Sequence, residues 1–133
     1  MPDSFEEQGW VRIGVATALA KEYAADQKHF LKLLAETLDH ALPGEAETKT
    51  KGFFSSKSIV GVSVALGDLR YSIDDPGRGP LMATRTKIVR GIALKTEEIS
   101  VPECVEEISD ALEARAGKTA EARNALASLL GLE

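Results

Sequence analysis

Cysteine is nearly absent: Cys104 stands alone in 133 residues, which excludes an internal disulfide and any multi-cysteine zinc or iron–sulfur centre and fits a reducing compartment. Long apolar runs are missing too. Uncharged stretches such as Ile13 to Ala20 and Ser58 to Gly67 fall far short of the ~18 residues of a membrane span, so no membrane partner is expected. The acidic start Met1-Pro2-Asp3-Ser4-Phe5-Glu6-Glu7 is unlike a secretory signal, and the expected location is the cytoplasm. Base is outnumbered by acid, 16 Lys and Arg against 21 Asp and Glu, and a net charge of −5 speaks against a general nucleic-acid surface.

What is present suffices for one domain. Hydrophobic residues make up 44% of the chain, enough at this length to build a core without staples. Charge changes sign twice, with −3 over residues 1–42, +2 over 43–101 and −4 over 102–133. The outer blocks are rich in Ala, Leu and Glu and favour helix, while the middle is rich in Val, Ile, Thr and Gly and favours strands. The expected class is α+β: a helical block (1–42), an antiparallel sheet of three to four strands (43–99), and C-terminal helices (100–131) packed on one sheet face.

In the first block Val15, Leu19, Tyr23, Phe30, Leu31, Leu34, Leu38 and Leu42 recur at helical spacing behind a possible Ser4/Glu7 capping box. One helix from Phe5 to Leu42 would be ~57 Å long, against ~36 Å for a compact globule of this size. Either the helix breaks near Ala25-Asp26, with Asp26 capping a new one, or it projects and is covered by a second chain. Val11, Ile13 and Val15 could instead alternate as a short strand, and Pro43-Gly44 ends the block.

The middle block holds the sharpest signal. Val60, Val62, Val64 and Leu66 alternate with small residues, Gly67-Asp68 makes a two-residue loop, and Leu69, Tyr71 and Ile73 alternate again. That loop sets Leu66 opposite Leu69, Val64 opposite Tyr71 and Val62 opposite Ile73, all on one face. Leu81 to Lys95 reads as one long strand with Ile88, Ile92 and Leu94 inward and a bulge at Arg90-Gly91, and a further strand spans roughly Ala46 to Phe54. Ser100-Val101-Pro102-Glu103 opens a helix that stops at Gly117, and Thr119 caps another that ends at Gly131.

The run Val89-Arg90-Gly91-Ile92-Ala93-Leu94-Lys95-Thr96-Glu97-Glu98-Ile99-Ser100-Val101, followed by an Ala/Glu/Arg-rich helix, resembles the C-terminal half of small uncharacterised bacterial α+β proteins. The resemblance covers the last third of the chain. It implies a bacterial cytoplasm and supplies no activity, ligand or site.

Candidate chemistry is sparse. On one continuous helix His29, Glu36 and His40 would share a side at metal-ligand spacing, but a fourth ligand is missing and a solvated face is the simpler account. Cys104 falls on the apolar side of its helix, as an inert core thiol does. Asp74 and Asp75 precede Pro76-Gly77, where aspartate serves turn geometry, and Gly77-Arg78-Gly79 lacks the rest of a phosphate loop. No catalytic constellation, metal site or cofactor is expected. The basic cluster Arg70, Arg85 and Lys87, with Lys49 or Lys51, is placed on the sheet face opposite the valines, around Gly61, Ser63 and Ala65. Such a face suits an acidic protein partner; lacking stacked aromatics, it suits nucleic acid poorly. The expectation is a non-catalytic protein-interaction module, homodimeric through its long first helix. Two alternatives stand beside it: a small-molecule or lipid-like carrier with a cavity lined by Tyr71, Met82 and Leu94, and a weak phosphate or nucleic-acid binder.

Overall fold

The structure is a computed structural model that describes residues 4–52, 58–116 and 118–130. It is α+β: helices α1 (Ser4–Ala25) and α2 (Gln27–Ala41), strands β1 (Ala46–Lys51), β2 (Ser58–Leu66), β3 (Leu69–Asp74), β4 (Met82–Val89) and β5 (Ile92–Ile99), then helices α3 (Val101–Ala116) and α4 (Ala120–Leu130). The strand alternative at Val11 to Val15 gives way to helix α1. The strand end expected at Phe53 and Phe54 and the stops at Gly117 and Gly131 lie outside the described residues.

The first block breaks at Asp26. Its backbone is extended (φ −156°, ψ 107°), and its Oδ1 accepts hydrogen bonds from the backbone N–H groups of Lys28 and His29 at 3.0 and 3.1 Å. Those are donors that a new helix leaves unsatisfied, so one aspartate both ends α1 and starts α2. At 1.5 Å per residue the 22 residues of α1 span about 33 Å, which a globule of this size accommodates without a second chain. Ser100 Oγ caps α3 by accepting from the Glu103 N–H at 3.1 Å, and Thr119 Oγ1 caps α4 from the Ala122 N–H at 3.2 Å.

The sheet has five antiparallel strands in the order β1-β2-β3-β4-β5, a plain meander and one strand more than the upper expectation. Turn chemistry accounts for the extra strand. Arg90 and Gly91 both have positive φ (53° and 79°), the pattern of a two-residue hairpin turn whose twist matches that of the flanking strands. They fold Leu81 to Lys95 back on itself instead of bulging one long strand, with Val89 opposite Ile92 and Lys87 opposite Lys95. The ladder irregularity falls between Lys87 and Ile88, which leaves Leu94 as the extra residue of β5. At the β2–β3 hairpin the loop arithmetic holds: Leu66 faces Leu69, Val64 faces Tyr71 and Val62 faces Ile73.

Helix α2 lies against β1 and β2, α3 against β3 and β4, and α1 and α4 pack mainly on those two helices. Of the C-terminal helices, α3 is therefore the one seated on strands. One buried cluster runs through all of it, from Leu19, Phe30, Leu34 and Leu38 through Val62, Val64 and Ile73 to Cys104, Ile108, Leu112 and Leu126. Tyr23 closes over Phe30 edge to face, 5.4 Å between ring centroids. No helix among the described residues packs on the opposite sheet face. That face presents Glu47, Lys49, Gly61, Ser63, Ala65, Arg70, Ser72, Thr84 and Thr86, an alternation of small and polar residues.

Candidate interaction surface

The register of β3 against β4 divides the expected basic cluster. Arg70 faces Thr86 on the uncovered side, while Arg85 faces Tyr71 and Lys87 faces Leu69 on the helix side. The single basic face of Arg70, Arg85 and Lys87 is thereby corrected. The physical reason is a long-range one: Glu107 of α3 and Glu97 of β5 make the helix side of the sheet a better place for a guanidinium than the open side.

Arg85 bridges both acids. Its Nε and Nη2 donate to Glu97 Oε1 at 3.1 and 2.8 Å, and Nη1 donates to Glu107 Oε2 at 2.5 Å. The phenol of Tyr71 donates to the other oxygen of Glu107 at 2.9 Å. This network ties the sheet to α3 and engages all three nitrogens of Arg85 within the chain. Hydrogen bonding to Arg85, then its charge, lowers the pKa of Glu97; burial, reinforced by Glu107, raises that of Tyr71. Burial also pushes the neighbouring Cys104 thiol up to about 12, which matches an inert core thiol and not a nucleophile.

The other candidates disperse. His29 Nδ1 pairs with Glu22 of α1, and the His40 Nδ1–H donates to the Glu36 carbonyl at 2.8 Å. Among the described residues no three His, Cys, Asp or Glu side chains gather as a metal site. Asp75 Oδ1 accepts from the Gly77 N–H at 2.9 Å, as a turn aspartate does. Asp74 instead accepts from Lys49 Nζ at 3.4 Å. That bridge runs from β3 to β1 across Gly61, where a Cβ would come within 2.5 Å of the Asp74 Oδ1. Tyr71, Met82 and Leu94 do not come together around one space: Tyr71 is buried in the core, Met82 lies on the uncovered face and Leu94 is 61% exposed at the hairpin end. A shallow groove of about 500 Å³ lies elsewhere, between α2 and α4, lined by Leu33, Thr37, His40, Asn124 and Leu129.

What the structure does gather is the free end of the β4–β5 hairpin. Of the four large hydrophobic residues that are exposed among the described residues, Val89, Ile92 (63%) and Leu94 (61%) lie there, and Met82 alone lies elsewhere. Lys87, Arg90 and Lys95 stand among them, and no acidic residue occurs between Thr86 and Thr96. Arg90 is also the one non-glycine residue with positive φ among the described residues. The sequence signal for this surface is the acid-free run itself, which a reading as one continuous strand hides. No helix among the described residues is long and apolar enough to cross a membrane. No protein-family model matches the chain, and no curated protein or solved structure is significantly similar to it.

Proposed function

We propose that the chain is a non-catalytic protein-interaction module that takes an acidic, partly apolar polypeptide on the free end of the β4–β5 hairpin. One observation carries the reading: Val89, Ile92 and Leu94 are exposed in a run, Lys87 to Lys95, that holds three cations and no acidic residue, in a chain whose net charge is −5. Exposed apolar groups gain by being covered, and unopposed cations choose an acidic cover and steer its approach. Arginine at a backbone position suited to Asn or Gly supports it, because strain of order 1 kcal/mol kept at a turn points to a side chain retained for contact.

The test is fluorescence anisotropy with a labelled amphipathic helical peptide, leucines on one face and glutamates flanking them. Binding is expected at low salt, weakened at high salt over the ~10 Å Debye length, and lost in the Ile92→Ser/Leu94→Ser and Lys87→Gln/Arg90→Gln variants with unchanged melting curves. Equal binding by wild type and both variants overturns the reading. So does binding to phosphatidylglycerol vesicles with none to the peptide, which would make the tip a lipid contact.

A further inference from the structure

The outer edge of β5 offers a second surface, which shares Ile92, Leu94 and Lys95 with the hairpin tip. Strand β5 ends the sheet, so its outward backbone N–H and C=O groups have no strand beyond them. Ile92 and Leu94 sit on it without proline, while Lys95, Glu97, Glu98 and the irregularity at Leu94 are devices that guard an isolated edge, so a partner strand must match those charges. A second feature points outward as well. Lys87 and Lys95 face each other directly across the β4–β5 ladder, and neither forms an ion pair among the described residues. Like charges directly opposed on a sheet repel, and a carboxylate beyond Lys95 would relieve them.

We infer that β5 pairs antiparallel with β5 of a second copy of this chain about a two-fold axis at Thr96. Side chains facing each other across a ladder lie on the same side of the sheet, so in a symmetric pair the axis must pass where a residue meets its own copy. Lys95 at the axis would oppose lysine to lysine, Glu97 would oppose glutamate to glutamate, and Leu94 is the ladder irregularity itself. With Thr96 at the axis, Lys95 of each copy faces Glu97 of the other, twice over, and every facing charge is complementary. Lys95 and Glu97 share the helix side, since they face Lys87 and Arg85. The charged row then runs Arg85, Glu97, Lys95, Lys87 across the interface, and Lys95, whose own Glu97 is held by Arg85, gains a directly facing carboxylate from the neighbouring copy.

The result is a ten-stranded sheet with all helices on one face. The two Ile92 residues lie about 26 Å apart at opposite ends of the junction, so Lys87, Val89 and Arg90 of each tip stay outside the pairing while Leu94 and Lys95 enter it. The other edge, β1, also sets Glu47 and Lys49 on either side of a threonine, Thr48. There, however, the lysine already holds Asp74, whereas Lys95 forms no ion pair among the described residues. It is the natural control.

Light scattering coupled to gel filtration, at tens of micromolar chain, is expected to give twice the 14.3 kDa of one chain. Lys95→Glu and Glu97→Lys, each alone, place like charges opposite one another and give monomers. Mixing the two variants in equal amounts restores a dimer, because a copy with two acids at these positions then meets a copy with two lysines, and both facing pairs are complementary again. In a Cys104→Ala background, Thr96→Cys is expected to form a disulfide-linked dimer on mild oxidation, while Thr48→Cys is not. A wild-type monomer overturns the proposal. So does a dimer that both charge variants leave intact, or one that crosslinks through position 48 and not 96.

Discussion

The phenolic hydroxyl of Tyr71 on β3 donates to Glu107 on α3 at 2.9 Å, and the second oxygen of that carboxylate takes the Arg85 guanidinium. Sheet and helix layer, 36 residues apart in sequence at this contact, are thus joined by polar bonds as well as by the core. Removing the hydroxyl in Tyr71→Phe leaves Glu107 with Arg85 and should cost about 1 kcal/mol in urea denaturation, the size of a hydrogen bond to a charged group at a half-buried site. A double-mutant cycle with Glu107→Ala should give a coupling energy of at least ~0.5 kcal/mol; additivity would mean that the bond contributes nothing.

Hairpin faces can be ranked by the carboxylate they tolerate. Val62 and Ile73 are 3% and 1% exposed and face each other beneath the helices. Either one changed to Asp buries an unpaired acid, and the far-ultraviolet circular dichroism of a fold should be lost or its melting point should fall sharply. Arg70→Asp, on the uncovered face, should melt within a few degrees of wild type. The reverse ranking would mean that inward and outward residues are exchanged.

At the β4–β5 turn a stabilising change is expected. Arg90 holds φ 53°, where Asn is better tolerated, so Arg90→Asn should raise stability by about 0.5–1 kcal/mol. Gly91→Ala meets no atom within 4 Å, so its cost should come from φ 79° alone, about 1–2 kcal/mol. Thermal melts of the two variants should move in opposite directions.

Acid should weaken the fold through two carboxyls. Hydrogen bonding to Arg115 holds Glu45 below its ordinary 4.5, and Arg85 does the same for Glu97. A carboxyl with a depressed folded pKa contributes stability in full above its unfolded value and loses it as pH falls through the folded value. The melting point should therefore decline as pH drops below about 4.5, and Arg115→Gln should flatten that decline. His29 runs the other way. Its pKa is raised by Glu22, chiefly through the hydrogen bond, so its contribution is full below 6.5 and lost as pH rises through the folded value. In a proton NMR titration, Glu22→Gln should bring His29 back toward 6.5.

Local chemistry determined much of this protein before any tertiary contact entered. Gly67 (φ 67°) and Asp68 leave room for one pairing only, so the facing of Val62 with Ile73 follows from a two-residue loop and a period of two. Asp26, Ser100 and Thr119 start helices because a side-chain oxygen within three residues satisfies donors that any helix start leaves open. In β4 no such local rule decides. Met82 and Ile88 fall on one parity and Ala83 and Val89 on the other, so burial of apolar groups alone does not choose a face. Arg90 likewise conceals its turn, since arginine is not the residue that a left-handed position ordinarily selects. Tertiary structure decided both. Glu107, brought by α3 to the helix side of the sheet, accepts Arg85 there, and with it β4 takes a face that sets Lys87 against Lys95 and bares Val89, Ile92 and Leu94 at the hairpin end. A charge on a distant helix outweighs local preference at such a strand because the strand's own pattern is nearly indifferent between its two faces.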